Sequence, residues 1–260
     1  FFAAEATRSD TIAAEAAIEL VRGTMQHSAP GALQWSRHAQ AQIDRLGEDD
    51  NSDALRLSAE LQQALGLAYV HQGDHEKAQA AFLLSLSTRE RLPDPDPLRV
   101  AALRNNLGNL LVRRGDLIGA EAQLDMASEI YRNELGHGHP SVAIALSNLG
   151  EVQQRRGQIE MALRSYSDAH MILAAGLGPE HPNVGILVNN LGDVQLRRGQ
   201  SAVAEEHYTR AMAILSASFG ADSPPLAYPL TGRGEALLAL GRTAEALVDL
   251  ERALVLRDAG

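Results

Sequence analysis

The chain has no cysteine, which excludes disulfides, thiolate metal sites and thiol catalysis together and fits a reducing, cytoplasmic compartment. Lysine is almost absent too: Lys77 is the only one, so the positive charge is arginine. The formal charge of −10 comes with no basic block, and such a surface repels phosphate backbones. Nucleic acid is therefore not an expected partner. Aromatic residues make up 4%, too few for a core of strands, which draw on Tyr, Phe and Trp. No apolar run approaches the length of a bilayer span and no charged-then-apolar leader opens the chain, so no membrane is expected either. The first residue is Phe1, not methionine, and an excised segment of a longer protein is the expectation.

What is abundant is Ala and Leu, within a hydrophobic content of 45%, and both favour helix. The organisation appears in the glycines. Gly73, Gly115, Gly157, Gly199 and Gly241 recur every 42 residues, and Gly66, Gly108, Gly150, Gly192 and Gly234 keep the same step. Ala78, Ala120, Ala162, Ala204 and Ala246 form a third series; Leu65, Leu107, Leu149 and Leu191 form a fourth that Arg233 breaks. A fixed period of this size marks an array of supersecondary units, each burying its apolar face against the next.

Each unit reads as two helices. Residues 141–156 place Leu146, Leu149 and Val152 on one side at helical spacing, with Pro140 at a first-turn position and Gly157 at a left-handed stop. A second amphipathic run carries Ala162, Tyr166 and Ala169 and ends at Leu177–Gly178, before His181–Pro182 opens the next unit. Small residues at Gly150 and Ala162 predict a close approach of the two helices. Period alone also suits HEAT or armadillo units, so the motif decides.

The residues N-L-G (148–150), then Gly157, Ala162, Tyr166 and Ala169, resemble the tetratricopeptide pattern. The 42-residue step with His-Pro between units, as in residues 177–200, resembles the long variant of kinesin light chains. Residues 228–247 are similar to arrays attached to bacterial signalling proteins, including serine/threonine kinases. The resemblance covers residues 58–257. It implies an all-α, right-handed superhelical solenoid: an N-terminal helical cap or degenerate repeat over 1–57, then five 42-residue units over 58–260. It also implies a non-catalytic scaffold that binds a protein or peptide ligand in a concave groove, without a cofactor.

The ends are less regular. Residues 11–46 carry two helical patterns broken at Ser28–Gly31, with Trp35 as a plug or a degenerate aromatic. At the other end Ala246, Leu250, Ala253 and Leu254 form an apolar stripe with no solvating helix after it, expected to be tolerated, covered by a further segment or used for self-association. Residues 91–98 hold three prolines and predict a stiff, non-helical link.

Opposite the apolar side of each first helix, three units carry matching trios at i, i+3, i+7: Asn106, Asn109 and Arg113; Asn148, Glu151 and Arg155; Asn190, Asp193 and Arg197. Asn105 and Asn189 stand beside them. An asparagine amide offers donor and acceptor together and clamps an extended peptide backbone whatever its sequence. Related arrays use groove asparagines in this way. Arginine adds a fork for a carboxylate or phosphate. Asparagine is a poor helix former, so its mid-helix repetition points to ligand, whereas Glu151–Arg155 and Asp193–Arg197 also read as i, i+4 ion pairs. The lysines of the chaperone-type carboxylate clamp are absent from this face.

Other constellations carry less. His137, His139 and His181 allow a metal site on paper, but the repeat separates them and places His-Pro in loops, so no metal is expected. His71 and His75 flank the turn at Gly73 and are expected to face solvent. Asp94, Asp96 and the run Glu48–Asp50 read as loop charges without partners. No phosphate-binding glycine loop, serine nucleophile or kinase signature is present. The leading expectation is a peptide-binding scaffold within a larger bacterial signalling protein. The alternatives are an oligomerisation module acting through the C-terminal helix and a regulatory segment of a linked kinase.

Overall fold

The computed structural model describes residues 2–24, 29–47 and 51–258. Among them are twelve α-helices, one short 3-10 turn and no strand. The helices are α1 (Phe2–Thr24), α2 (Ala29–Leu46), α3 (Ser52–His71), α4 (His75–Glu90), α5 (Pro97–Arg114) and α6 (Leu117–Leu135). They continue as α7 (Pro140–Arg155), α8 (Ile159–Leu177), α9 (Pro182–Arg197), α10 (Ser201–Phe219), α11 (Ala227–Ala239) and α12 (Thr243–Asp258), with the 3-10 turn at Pro224–Leu226. Two compact units divide the chain, Phe1–Ile130 and Tyr131–Gly260.

The helix ends follow from sequence chemistry. In unit Tyr131–Gly260, the imidazoles of His139 and His181 cap α7 and α9: each Nδ1 accepts from a backbone N–H, of Ser141 and Asn183, at 3.2 Å. Proline follows each cap, where its missing donor costs nothing. Both histidines are thereby employed as caps. Gly157 and Gly199 adopt φ of +74° and +76°, which a side chain at Cβ would oppose, and so turn the chain into α8 and α10.

Hairpin closure explains the second glycine series. A Cβ built on Gly150 would lie 2.9 Å from the Tyr166 ring, and one on Gly192 would lie 2.8 Å from the Tyr208 ring. Each ring is buried against the bare backbone of the facing helix. Residues 16 positions after the equivalent glycines, Phe82, Leu124 and Leu250, fill the same seat on Gly66, Gly108 and Gly234. The close approach expected from Gly150 and Ala162 is present.

In unit Phe1–Ile130, α1 and α2 pair and share a core with α3 built from Ala14, Ile18, Val21, Ile43, Leu57 and Leu61, with Trp35 packed against it. The expected break at Ser28–Gly31 falls partly outside the described residues, since Ser28 is not described, and Gly31 lies within α2. Residue 58 lies inside α3, which starts at Ser52. The link between α4 and α5 is non-helical over 91–96 only; the expected stretch 91–98 ends earlier because Pro97 takes a first-turn position of α5, where its missing N–H costs nothing. Asp96 within it is not partnerless: its carboxylate caps α5, accepting from Leu98 N–H at 2.9 Å, and pairs with Arg99 at 3.5 Å. The reason is position, one residue before the first turn, where orphan amides attract an acceptor. The run Glu48–Asp50 lies outside the described residues. His71 is exposed and His75 half-buried.

In unit Tyr131–Gly260, α7–α8, α9–α10 and α11–α12 form three hairpins. The α12 stripe divides differently from the sequence expectation. Ala246 and Ala253 are buried, and Leu250 sits on Gly234 of α11, while Leu254 is 61% exposed. The face open to solvent comprises Leu247, Val248, Leu254 and Val255. An α-helix of 3.6 residues per turn cannot turn 250, 253 and 254 equally toward one neighbour, and the seat on Gly234 decides which side goes in. Arg233, which breaks the leucine series, makes a two-pronged bond to Asp249 at 2.7 and 2.8 Å.

Candidate functional site

Within unit Tyr131–Gly260 the first helices of the three hairpins repeat an exposed apolar residue at the same position: Ile144 on α7, Ile186 on α9 and Tyr228 on α11. Exposure of one large apolar side chain is ordinary, but three at one repeat position form a surface feature. Two of them border open space. A cavity of about 780 Å³ is lined by Ile186, Asn189, Asn190, Leu215, Tyr228 and Arg257, with Pro224, Pro225 and Pro229 completing it. The prolines fix the backbone and offer no donor, which keeps that wall apolar.

A second cavity of about 460 Å³ shares Asn189, Tyr228 and Arg257 with the first and is polar. Gln154, Asp193, Leu196, Arg197, Tyr208, Thr231 and Glu235 line it. Asn189 therefore faces both spaces. Its Nδ2 donates a long bond of 3.4 Å to Asn190 Oδ1, while its own Oδ1 is buried without a hydrogen-bond partner. A buried unsatisfied acceptor costs about 1–3 kcal/mol, and a donor entering the cavity recovers it. Arg257 is anchored at the other side, its Nη2 donating to Thr231 Oγ1 at 3.0 Å.

The tyrosines in the glycine seats supply the electrostatics. Tyr208 Oη donates to Asp193 Oδ1 at 2.7 Å. Burial raises the Tyr208 phenol well above its ordinary range, and the Asp193 charge raises it further. Burial also raises Asp193, against the opposing effect of the Tyr208 bond and of Arg197. Tyr166 is raised by burial as well and donates to Gln154 Oε1 at 3.3 Å.

Of the residues expected at the site, Asn189, Asn190, Asp193 and Arg197 border these cavities. Asn148, Glu151 and Arg155 occupy α7 outside the two linings; Arg155 pairs with Glu151 at 2.7 Å. Asp193 and Arg197, the matching i, i+4 residues on α9, form no ion pair among the described residues. In unit Phe1–Ile130, Asn105, Asn106 and Asn109 are half-buried on α5 and Arg113 is exposed. Sequence reasoning missed Tyr228, Arg257 and the prolines of the link. The signal for Tyr228 was present: it stands 42 residues after Ile186 and 84 after Ile144. Arg257 lies in a second helix, and nothing in its own helix pattern points it at the first.

The tetratricopeptide repeat profile matches residues 56–117, 99–175 and 183–259. No curated protein matches the chain in sequence. Among solved structures, BtubC (BKLC) from P. vanneervenii shares 21% identity at a TM-score of 0.69, over 93% of this chain and 91% of that one. A putative kinesin light chain from Podospora anserina, with nearly identical TPR-like repeats, shares 22% identity at 0.65, over 81% and 98%. The Rap conjugation gene regulator of plasmid pLS20, solved with the Phr* peptide, shares 12% identity at 0.63, over 96% and 75%. At these identities the likeness is one of fold.

Proposed function

Because the chain belongs to the tetratricopeptide repeat family, a family of protein–protein interaction scaffolds, we propose that unit Tyr131–Gly260 holds an extended peptide across α9 and α11. The observation that carries this reading is Asn189, whose buried, unpartnered Oδ1 stands where an apolar and a polar cavity meet. An extended peptide presents a backbone N–H to such an acceptor and alternate side chains to either side, so one strand meets both cavities. The apolar cavity takes a side chain of the ligand between Ile186, Tyr228 and the prolines. The Rap regulator, with its bound peptide, is a precedent for peptide binding on this fold.

We place this scaffold in the cytoplasm as part of a larger bacterial signalling protein, on the strength of the missing cysteines and of the resemblance at residues 228–247. Selection of a displayed 12-residue peptide library on the wild-type chain and on the N189A and Y228A variants tests the binding. Enriched peptides that bind N189A about tenfold more weakly are the expected result, the equivalent of losing one buried hydrogen bond. A wild-type chain that enriches no peptide overturns it.

A second reading has its own observation. Leu247, Val248, Leu254 and Val255 of α12 are each more than half exposed, enough apolar surface to support self-association. Light scattering over a hundredfold concentration range decides it, since a mass fixed at one chain throughout excludes it.

A further inference from the structure

The seat tyrosines donate to different acceptors in successive hairpins, and the repeat differs at two positions there: Leu196 stands for Gln154 and Asp193 for Glu151. On α7 the residue at position 154 is glutamine and receives the Tyr166 hydroxyl at 3.3 Å. Glu151 is then available to Arg155, and the pair forms at 2.7 Å. On α9 the equivalent of Gln154 is Leu196, half-buried against Ala204, Tyr208 and Ala236, and it accepts nothing. The Tyr208 hydroxyl turns instead to Asp193, at 2.7 Å. Arg197, the equivalent of Arg155, forms no ion pair among the described residues. It borders the polar cavity together with Arg257, whose guanidinium donates to Thr231.

We infer that Leu196 and Tyr208 make Arg197 a specificity residue: by drawing Asp193 aside they leave Arg197, with Arg257, to receive a carboxylate of the bound peptide. The inference rests on the peptide-binding reading and names the chemistry of that ligand, an apolar side chain close to an acidic residue. Two guanidinium groups border this cavity against one exposed carboxylate, Glu235, and one carboxyl already hydrogen-bonded, Asp193. Burial moves Asp193 toward its neutral form, which lessens its competition for Arg197. Leu196 and Tyr208 line the same cavity, and the role inferred for them is to position Asp193 relative to Arg197.

The probes are peptides from the displayed 12-residue library, each resynthesised with its Asp or Glu changed to Asn or Gln. The readout is the affinity ratio of acid to amide peptide, which general loss of folding or of backbone binding does not move. The wild-type chain is expected to enrich acidic peptides and to show a ratio of about ten or more, the scale of a charge-assisted pair. The R197Q/R257Q variant brings the ratio close to one while still binding the amide forms. L196Q, which installs the acceptor α7 already carries, and Y208F both lower the ratio by returning Asp193 to Arg197.

Enriched peptides without acidic residues, or a ratio unchanged in R197Q/R257Q, overturn the carboxylate site and leave the peptide reading standing. A ratio lost in R197Q/R257Q but intact in both L196Q and Y208F overturns the role given to Leu196 and Tyr208. Failure of the wild-type chain to enrich any peptide overturns the peptide reading and this inference with it.

Discussion

Tyr208 donates its hydroxyl to Asp193 at 2.7 Å while its ring fills the space left by Gly192, so one side chain closes a hairpin and sets the charge pattern beside it. Burial holds its phenol in the protonated form above the ordinary tyrosine range. An acid whose folded pKa lies above its unfolded value favours folding only while it stays protonated in both states. As pH rises through about 10, the ordinary tyrosine value, the unfolded chain releases the proton first and stability falls. Thermal melts between pH 9 and 11 should show this fall, and Y166F and Y208F should each flatten it. A melting temperature independent of pH in that range would contradict the assigned burial.

On the acid side the half-buried histidines dominate near neutrality. Burial lowers both His170 on α8 and His207 on α10, and His207 is lowered further by His170. A base with a depressed folded pKa is neutral in the fold, so the unfolded chain takes up protons first below about 6.5 and stability drops. Asp193, raised by burial, acts in the opposite sense, and only at lower pH, where its carboxyl takes up a proton. The melting temperature should therefore decline from pH 7.5 to 6, and H207Q should reduce the slope.

The glycine seats predict opposite effects for one substitution type. Gly192→Ala drives a methyl into the Tyr208 ring, 2.8 Å away, and overpacking of this kind costs about 1–3 kcal/mol. Gly176→Ala, near the end of α8, meets nothing within 4 Å and gains about 0.5 kcal/mol from reduced backbone entropy. Urea unfolding of the two variants should move the midpoint in opposite directions.

Arg233 and Asp249 form a nearly buried pair where other units carry leucine with a small or neutral polar residue. R233L alone strands the Asp249 carboxylate, 5% exposed, and should cost about 2 kcal/mol or more. R233L/D249S recreates the Leu149–Ser165 combination of the α7–α8 hairpin and should recover most of that loss. A double-mutant cycle on denaturant midpoints gives the coupling; additive single effects would show that the pair contributes nothing specific.

The imidazole caps give a local prediction. H181A removes the acceptor for the Asn183 N–H and should cost about 0.5–2 kcal/mol, whereas H181N keeps an acceptor at the same place and should cost little. Chemical denaturation of both variants separates capping from any other use of the ring.

The fold was legible because every unit repeats the same local logic: Pro140 and Pro182 open helices, Gly157 and Gly199 stop them, and Gly150 and Gly192 mark a close approach. Period and helical spacing together identify those roles without coordinates. The cavities were less legible. Asn189, Asn190, Asp193 and Arg197 emerge from comparing one face of each first helix, but Arg257 projects from a second helix and Asp193 turns to a residue 15 positions away. Such meetings between helices depend on which acceptor a hydroxyl finds nearest, and Leu196 for Gln154 changes that without disturbing the apolar pattern.

The seat of each hairpin is filled from within that hairpin, 16 residues further along the same stretch of chain. A duplication or deletion of one whole period therefore carries each ring and its own hairpin glycine together, although the Tyr208 ring also packs against the next hairpin, where a Cβ on Gly232 would run into it. Copy number in such a lineage can drift by recombination between units, while the pairing of Tyr208 with Gly192 travels intact. What recombination would disturb is the chemistry between hairpins, such as Tyr208 of α10 against Gly232 of α11, while residues that differ between copies, such as Leu196 for Gln154, are where selection on ligand choice acts.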